Sequence, residues 1–145
     1  TPALVGEGIT GVCKNNLVTE DEFAYVLKLL SSFGLAEAIP ESLMDAVVSV
    51  SGSSPAYVFL FIEAMADAAV ADGMPRAQAY KFAAQAVLGS AKMVLETGKH
   101  PAELKDMVCS PAGTTIEAVR VLEEKGFRGA VMDAMKACTA KAKGI

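Results

Sequence analysis

The 145-residue chain has one histidine, three cysteines and no run of basic residues. Each shortage removes a class of function. A lone histidine, His100, cannot build a multi-histidine metal site, and a Ser-His-Asp triad would depend on it alone. It stands before Pro101 at a helix start, where a polar cap is expected. Cys13, Cys109 and Cys138 are odd in number and widely spaced, which fits reduced thiols in a cytoplasmic protein rather than a disulfide framework or a zinc site. The formal net charge of −4 and pI of about 5.0 argue against nucleic acid or an anionic membrane as partner. Uninterrupted apolar runs are short. The longest, Ala56 to Ile62, stops at Glu63, whereas a bilayer span takes about 20 apolar residues. The first residues lack the order of a signal peptide, and Thr1 is not an initiator methionine, so a fragment or processed product is expected.

Apolar residues are plentiful even so, at 52%, with a mean hydropathy of +0.37. Such an excess belongs in a core or a subunit interface. The length suits one domain, or one domain with the remnant of another. Ile9 to Lys14 alternates partly and reads as a short strand, turned by Asn15-Asn16. Thr19 followed by Glu20, Asp21 and Glu22 marks a helix start, with Phe23, Val26, Leu27 and Leu30 as its apolar stripe. Gly34 ends that helix, and Leu35 to Ile39 is a second strand candidate before Pro40. One strand–helix–strand unit cannot make a sheet with its own core. Beyond Pro40 the pattern is helical almost without pause. A helix from Glu41 to Val50 is expected to stop at Ser51-Gly52-Ser53-Ser54, with Pro55 opening the next. Tyr57 to Ala71 is apolar nearly all round, as in a helix buried between others. A long helix follows Pro75, with Tyr80, Ala84, Val87, Leu88, Ala91, Val94 and Leu95 as its stripe. Shorter helices follow over Pro101 to Val108, from Thr114 to near Gly126, and from Phe127 onward.

The stretch Asp106 to Glu117 is the candidate site. Pro111 cannot continue the helix that stops at Cys109. Thr114 and Glu117 have the spacing of a capping box, and Gly113 lets the backbone approach a ligand. Two readings fit: a plain capped helix start, or a seat for a carboxylate or phosphate on free helix amides.

Three stretches carry a resemblance. Pro101 to Phe127, around Cys109-Ser110-Pro111-Ala112-Gly113-Thr114-Thr115, resembles the signature of the pyrroline-5-carboxylate reductase family, with its Ser-Pro-Gly-Gly-x-Thr-like core. Ser51 to Phe59 is similar to the family's Gly-Ser-Gly-Pro-Ala-Tyr segment, and Thr1 to Gly8 to the segment leading out of the cofactor domain. Ala112 and Ser54 stand where glycine is common, and no G-x-G-x-x-G follows a strand.

The resemblance implies a mainly α fold: a helical dimerisation and substrate-binding domain of the 6-phosphogluconate-dehydrogenase-like type at 41–145. A short β-α-β remnant of the Rossmann dinucleotide-binding domain precedes it at 1–40. It implies NADP or NAD as cofactor, a homodimer or higher oligomer, pyrroline-5-carboxylate or proline as ligand, and no metal. By the same resemblance Ser110 and the amides of Gly113, Thr114 and Thr115 hold the substrate carboxylate. Thr115 is the catalytic residue at the ring nitrogen, and Ser53 lies near the nicotinamide unless it is simply a helix cap. Asp106 orients the loop or is a solvated acid. The rival readings are a helical dimerisation module without chemistry and the helical half of a β-hydroxyacid dehydrogenase, which would need a catalytic lysine such as Lys81 or Lys92.

Overall fold

The computed structural model describes residues 1–144. The fold is mainly α, with a two-stranded parallel sheet near the start. The chain divides into two compact units. One is Thr1–Tyr57 with the chain from Asp133 onward, and the other is Val58–Met132.

The first unit opens with a strand–helix–strand crossover. Strand β1 (Gly8–Val12) runs parallel to β2 (Gly34–Ala38), with Gly8 opposite Gly34 and Val12 opposite Ala38. Helix α1 (Glu20–Leu30) connects them. It starts because Thr19 and Glu22 form a full capping box: the Thr19 hydroxyl accepts from the Glu22 amide at 3.3 Å and Glu22 accepts from the Thr19 amide at 2.9 Å. Hydrogen bonding to Thr19 holds the Glu22 carboxyl below its ordinary value. The turn before the helix is built by Asn15, whose side chain accepts from the Leu17 amide at 2.9 Å. Gly34 begins β2 at φ 148°, and a Cβ there would lie 2.0 Å from the Gly8 carbonyl oxygen. The two strands therefore meet through a bare glycine.

The expected stop between Ser51 and Ser54 narrows to one residue, Ser53, a bend between two helical elements. A 3-10 turn (Glu41–Leu43) leads into α2 (Met44–Val47), and a π turn (Val48–Gly52) carries the chain on into α3 (Ser54–Ala71). Pro55 supplies the reason. It has no N–H for the carbonyl four residues earlier and its ring crowds that carbonyl, so the turn widens and the chain bends at Ser53. The Ser53 amide donates to the Val48 carbonyl at 2.8 Å, closing the wide turn. Serine hydroxyls donate to the loosened backbone: Ser49 to Ala46, Ser51 to Val47 and Ser54 to Val50, at 3.0, 3.0 and 2.7 Å.

In the second unit α3 folds back through Gly73 (φ 95°) onto α4 (Arg76–Thr97), which ends on left-handed Gly98 (φ 63°). Then come α5 (Pro101–Val108), α6 (Thr114–Glu124) and the start of α7 (Phe127–Ala142). His100 caps α5, its Nδ1 accepting from the Ala102 amide at 3.1 Å. The buried residues here are alanines: Ala66, Ala79 and Ala83 are at most 4% exposed. The predicted stripe of α4 is split. Val87 and Val94 turn inward with Ala79 and Ala83, while Tyr80, Leu88 and Leu95 are uncovered. Among the described residues no large side chain is fully buried.

The longest unbroken apolar run is as short as the sequence shows, yet a longer helical stretch is apolar on average. The 31-residue stretch Glu41–Ala71, bent at Ser53, holds an 18-residue window of mean hydropathy 1.4, long and apolar enough by length and composition to cross a membrane, and 6% of that window is buried. Counting only unbroken apolar runs overlooked it, because isolated acids such as Glu63 do not stop a helix from being apolar on average.

Candidate functional site

The site is built on the break between α5 and α6. Pro111 prevents a continuous rod, so α5 stops at Val108 and Cys109 leaves the helical region at φ −90°, ψ 88°. Ser110 to Gly113 form a tight turn closed by the Gly113 amide, which donates to the Ser110 carbonyl at 3.0 Å. Ala112 takes φ 56°, the left-handed region, and is the one non-glycine residue to do so among those described. That explains why glycine is usual at this position of the signature: alanine costs about 1 kcal/mol or more there.

Helix α6 begins at Thr114 with Gly113 as its cap residue in extended conformation and no side-chain cap bond. The expected Thr114–Glu117 capping box is absent. Glu117 instead takes a forked pair from Arg120, with Nε at 3.1 and 3.0 Å from its two oxygens and Nη2 at 2.6 Å. Arg120 holds the Glu117 carboxyl below its ordinary value. A guanidinium one turn along thus outcompetes the backbone amide for this acid.

The consequence is a helix N-terminus left open. The Gly113 amide is spent within the turn. The amides of Thr114, Thr115 and Ile116 donate to no protein group among the described residues, and neither threonine hydroxyl is engaged. Thr115 is half-buried while Ser110 and Thr114 are exposed. Free amides, small residues and the helix dipole make a seat for a carboxylate. Asp106, expected to orient the loop, pairs through its side chain with Lys105 and not with the turn.

Ser53 lies in the first unit. It is not a side-chain cap. Its hydroxyl accepts from the Cys138 thiol of α7 at 3.2 Å, across 85 residues of sequence. Hydrogen bonding to the same cysteine, with burial adding to it, raises the Tyr57 phenol above its ordinary value. Sequence reading gave Cys138 only as a reduced thiol and no hint that it meets Ser53, because the pairing is long-range. Lys92 sits on an exposed face, paired with Glu96 at 3.4 Å, as a solvated helix residue rather than a catalytic lysine.

The family model for pyrroline-5-carboxylate reductase dimerisation matches residues 41–145. The chain is 70% identical, over its whole length, to a pyrroline-5-carboxylate reductase of Escherichia coli, covering 54% of that protein. It is 52% identical over 137 residues to one of Synechocystis, covering 51% of it. The chain thus spans about half the length of the curated relatives it matches. Solved structures agree. A pyrroline-5-carboxylate reductase of Coxiella burnetii superposes with a TM-score of 0.94 at 35% identity, over 99% of this chain and 54% of that one. A pyrroline carboxylate reductase of Plasmodium falciparum with NADP bound gives 0.91 at 37% identity, over 99% and 58%.

Proposed function

This chain belongs to the pyrroline-5-carboxylate reductase family, and on that premise we propose that it is the substrate-binding and dimerising half of such an enzyme. The whole protein reduces 1-pyrroline-5-carboxylate to L-proline with NADPH or NADH, completing proline biosynthesis in the cytoplasm as a homodimer. Residues 1–40 are the tail of the dinucleotide-binding domain, and 41–145 form the helical domain.

The observation that carries this reading is the open start of α6. The substrate is a small ring bearing a carboxylate and a C=N bond. Its carboxylate accepts from the free Thr114 and Thr115 amides and from the Ser110 hydroxyl, which leans over Gly113. Gly113 contributes bare backbone for close approach rather than its amide. The Thr115 hydroxyl, free of protein partners, donates to the ring nitrogen. It steadies the nitrogen as a proton arrives there and hydride reaches the adjacent carbon. Donors fixed in advance lower the barrier by positioning and electrostatics.

A nicotinamide dinucleotide supplies the hydride when bound. The helix that follows β1 offers the dinucleotide's pyrophosphate no seat: its start is self-capped by Glu22 and carries Glu20 and Asp21 in its first turn, which repel phosphate. What the second unit contributes is the carboxylate and imine end, and by the family resemblance Ser53 of the first unit serves the nicotinamide.

The test is turnover of pyrroline-5-carboxylate with NADPH by the full-length gene product and by residues 1–145 alone. We expect proline from the first and none from the second. A full-length product that binds proline nowhere near Thr114–Thr115 and reduces no imine would overturn the reading.

A further inference from the structure

The four serines around the π turn are not alike. Ser49, Ser51 and Ser54 each donate to a backbone carbonyl three or four residues earlier. Ser53 alone reaches outside its own helical turn, and it accepts rather than donates, from Cys138 at 3.2 Å. A hydroxyl that accepts from a thiol keeps its own proton for another partner. Among the described residues no protein group takes that proton. The same thiol holds the Tyr57 phenol, one helical turn beyond Ser53, above its ordinary value.

We infer that Cys138 is a positioning residue: it fixes the Ser53 hydroxyl so that its proton points away from the thiol, ready to be given to the bound dinucleotide. This rests on the proposed reductase reading, which puts Ser53 at the nicotinamide end. Cys138 touches no reacting atom. It acts by holding Ser53 and by tying α7 to the π turn within the first unit.

The experiment uses the full-length gene product and the variants Cys138→Ala, Cys138→Ser, Ser53→Ala and the Cys138→Ala/Ser53→Ala pair. Dinucleotide affinity is read by nicotinamide fluorescence with NADPH as probe, and the thiol by its S–H stretching band in the infrared. Cys138→Ala is expected to weaken NADPH binding about 3- to 10-fold, the range for one lost hydrogen bond. Cys138→Ser restores the parent affinity, because a hydroxyl can also donate to Ser53. The double variant binds no worse than Ser53→Ala. In Ser53→Ala the Cys138 S–H band moves to higher frequency as its acceptor is lost. The inference is overturned if Cys138→Ser is as weak as Cys138→Ala, if the two single losses add in the double variant, or if the band does not move. NADPH binding without imine turnover would sink the reductase reading while these comparisons still decide the role of Cys138. No NADPH binding by the parent would sink both.

Discussion

The Ser110 hydroxyl lies against the bare face of Gly113: a Cβ built on Gly113 would come within 2.3 Å of Ser110 Oγ and 3.1 Å of the Ser110 carbonyl oxygen. The serine can rotate away, but only by leaving the place from which it faces the substrate. Gly113→Ala is therefore expected to cost little stability, under about 1 kcal/mol in a denaturant melt. In steady-state assays of the full-length protein it should raise KM for pyrroline-5-carboxylate by about tenfold, one charge-assisted hydrogen bond's worth. KM for the dinucleotide should stay put. Equal loss on both substrates would show a collapsed fold rather than a displaced hydroxyl.

Two threonines look alike in sequence and behave differently. Thr19 is a true cap, bonded reciprocally to Glu22, whereas Thr114 sits inside the first turn of α6 with its hydroxyl free. Thr19→Ala should destabilise by about 1 kcal/mol, and Thr114→Ala by well under half of that. Chemical denaturation of both variants checks the contrast.

Acid pH gives a second view of the first cap. The Glu22 carboxyl titrates below its ordinary value because Thr19 bonds its ionised form. A lowered folded value means that the unfolded chain binds the proton first as pH falls. The stabilisation is complete above the ordinary glutamate value of about 4.3 and is lost as pH drops through the lowered one. Glu22→Gln should therefore lose stability at pH 7 and show a shallower decline between pH 5 and 3 than the parent. Parallel acid limbs for the two proteins would contradict the assigned cap.

The sheet hangs on another glycine contact. A Cβ at Gly34 would stand 2.0 Å from the Gly8 carbonyl oxygen, which is backbone and cannot step aside, and φ 148° is itself unfavourable to any other residue. Gly34→Ala should cost about 2 to 4 kcal/mol, whereas Gly52→Ala, with open space around it, should cost under about 1. Thermal melts of the two variants decide it.

Much of this could be read before any coordinates. Proline punctuation placed the start of α4 after Pro75 and α5 from Pro101 to Val108, because proline acts locally. The misreadings share one cause, competition between partners. Pro55 opens a new helix as expected, but the stop before it shrinks to Ser53, because a wide turn and serine hydroxyls absorb its missing N–H. Glu117 had the spacing of a cap, yet Arg120 claimed it. The Ser53–Cys138 bond could not be seen at all, since nothing in a local window relates positions 85 residues apart.

The last expectation concerns what covers α3. Phe59 and Leu60 are 56% and 67% exposed in a helix with almost no polar face, and Phe82 on α4 is 66% exposed. The chain exposes 10636 Å², whereas a folded monomer of its mass exposes roughly 7,000 Å². The excess, roughly 3,600 Å² for one chain, is more than the share of about 1,000 to 2,500 Å² that each subunit of an obligate dimer buries. A second copy is the occupant favoured by the match to a dimerisation family, although the same helix is apolar enough for a bilayer. Leu60→Glu puts a charge into the proposed interface, at a cost of several kcal/mol per dimer from two lost apolar contacts and two buried acids. Sedimentation of the full-length protein should give a dimer, and the variant should give monomer or aggregate. Lys92→Ala, on a solvated face, should leave the dimer intact. A parent that sediments as a stable monomer in buffer would remove the dimer. One that enters the pellet with lipid vesicles would hand the α3 surface to a membrane instead.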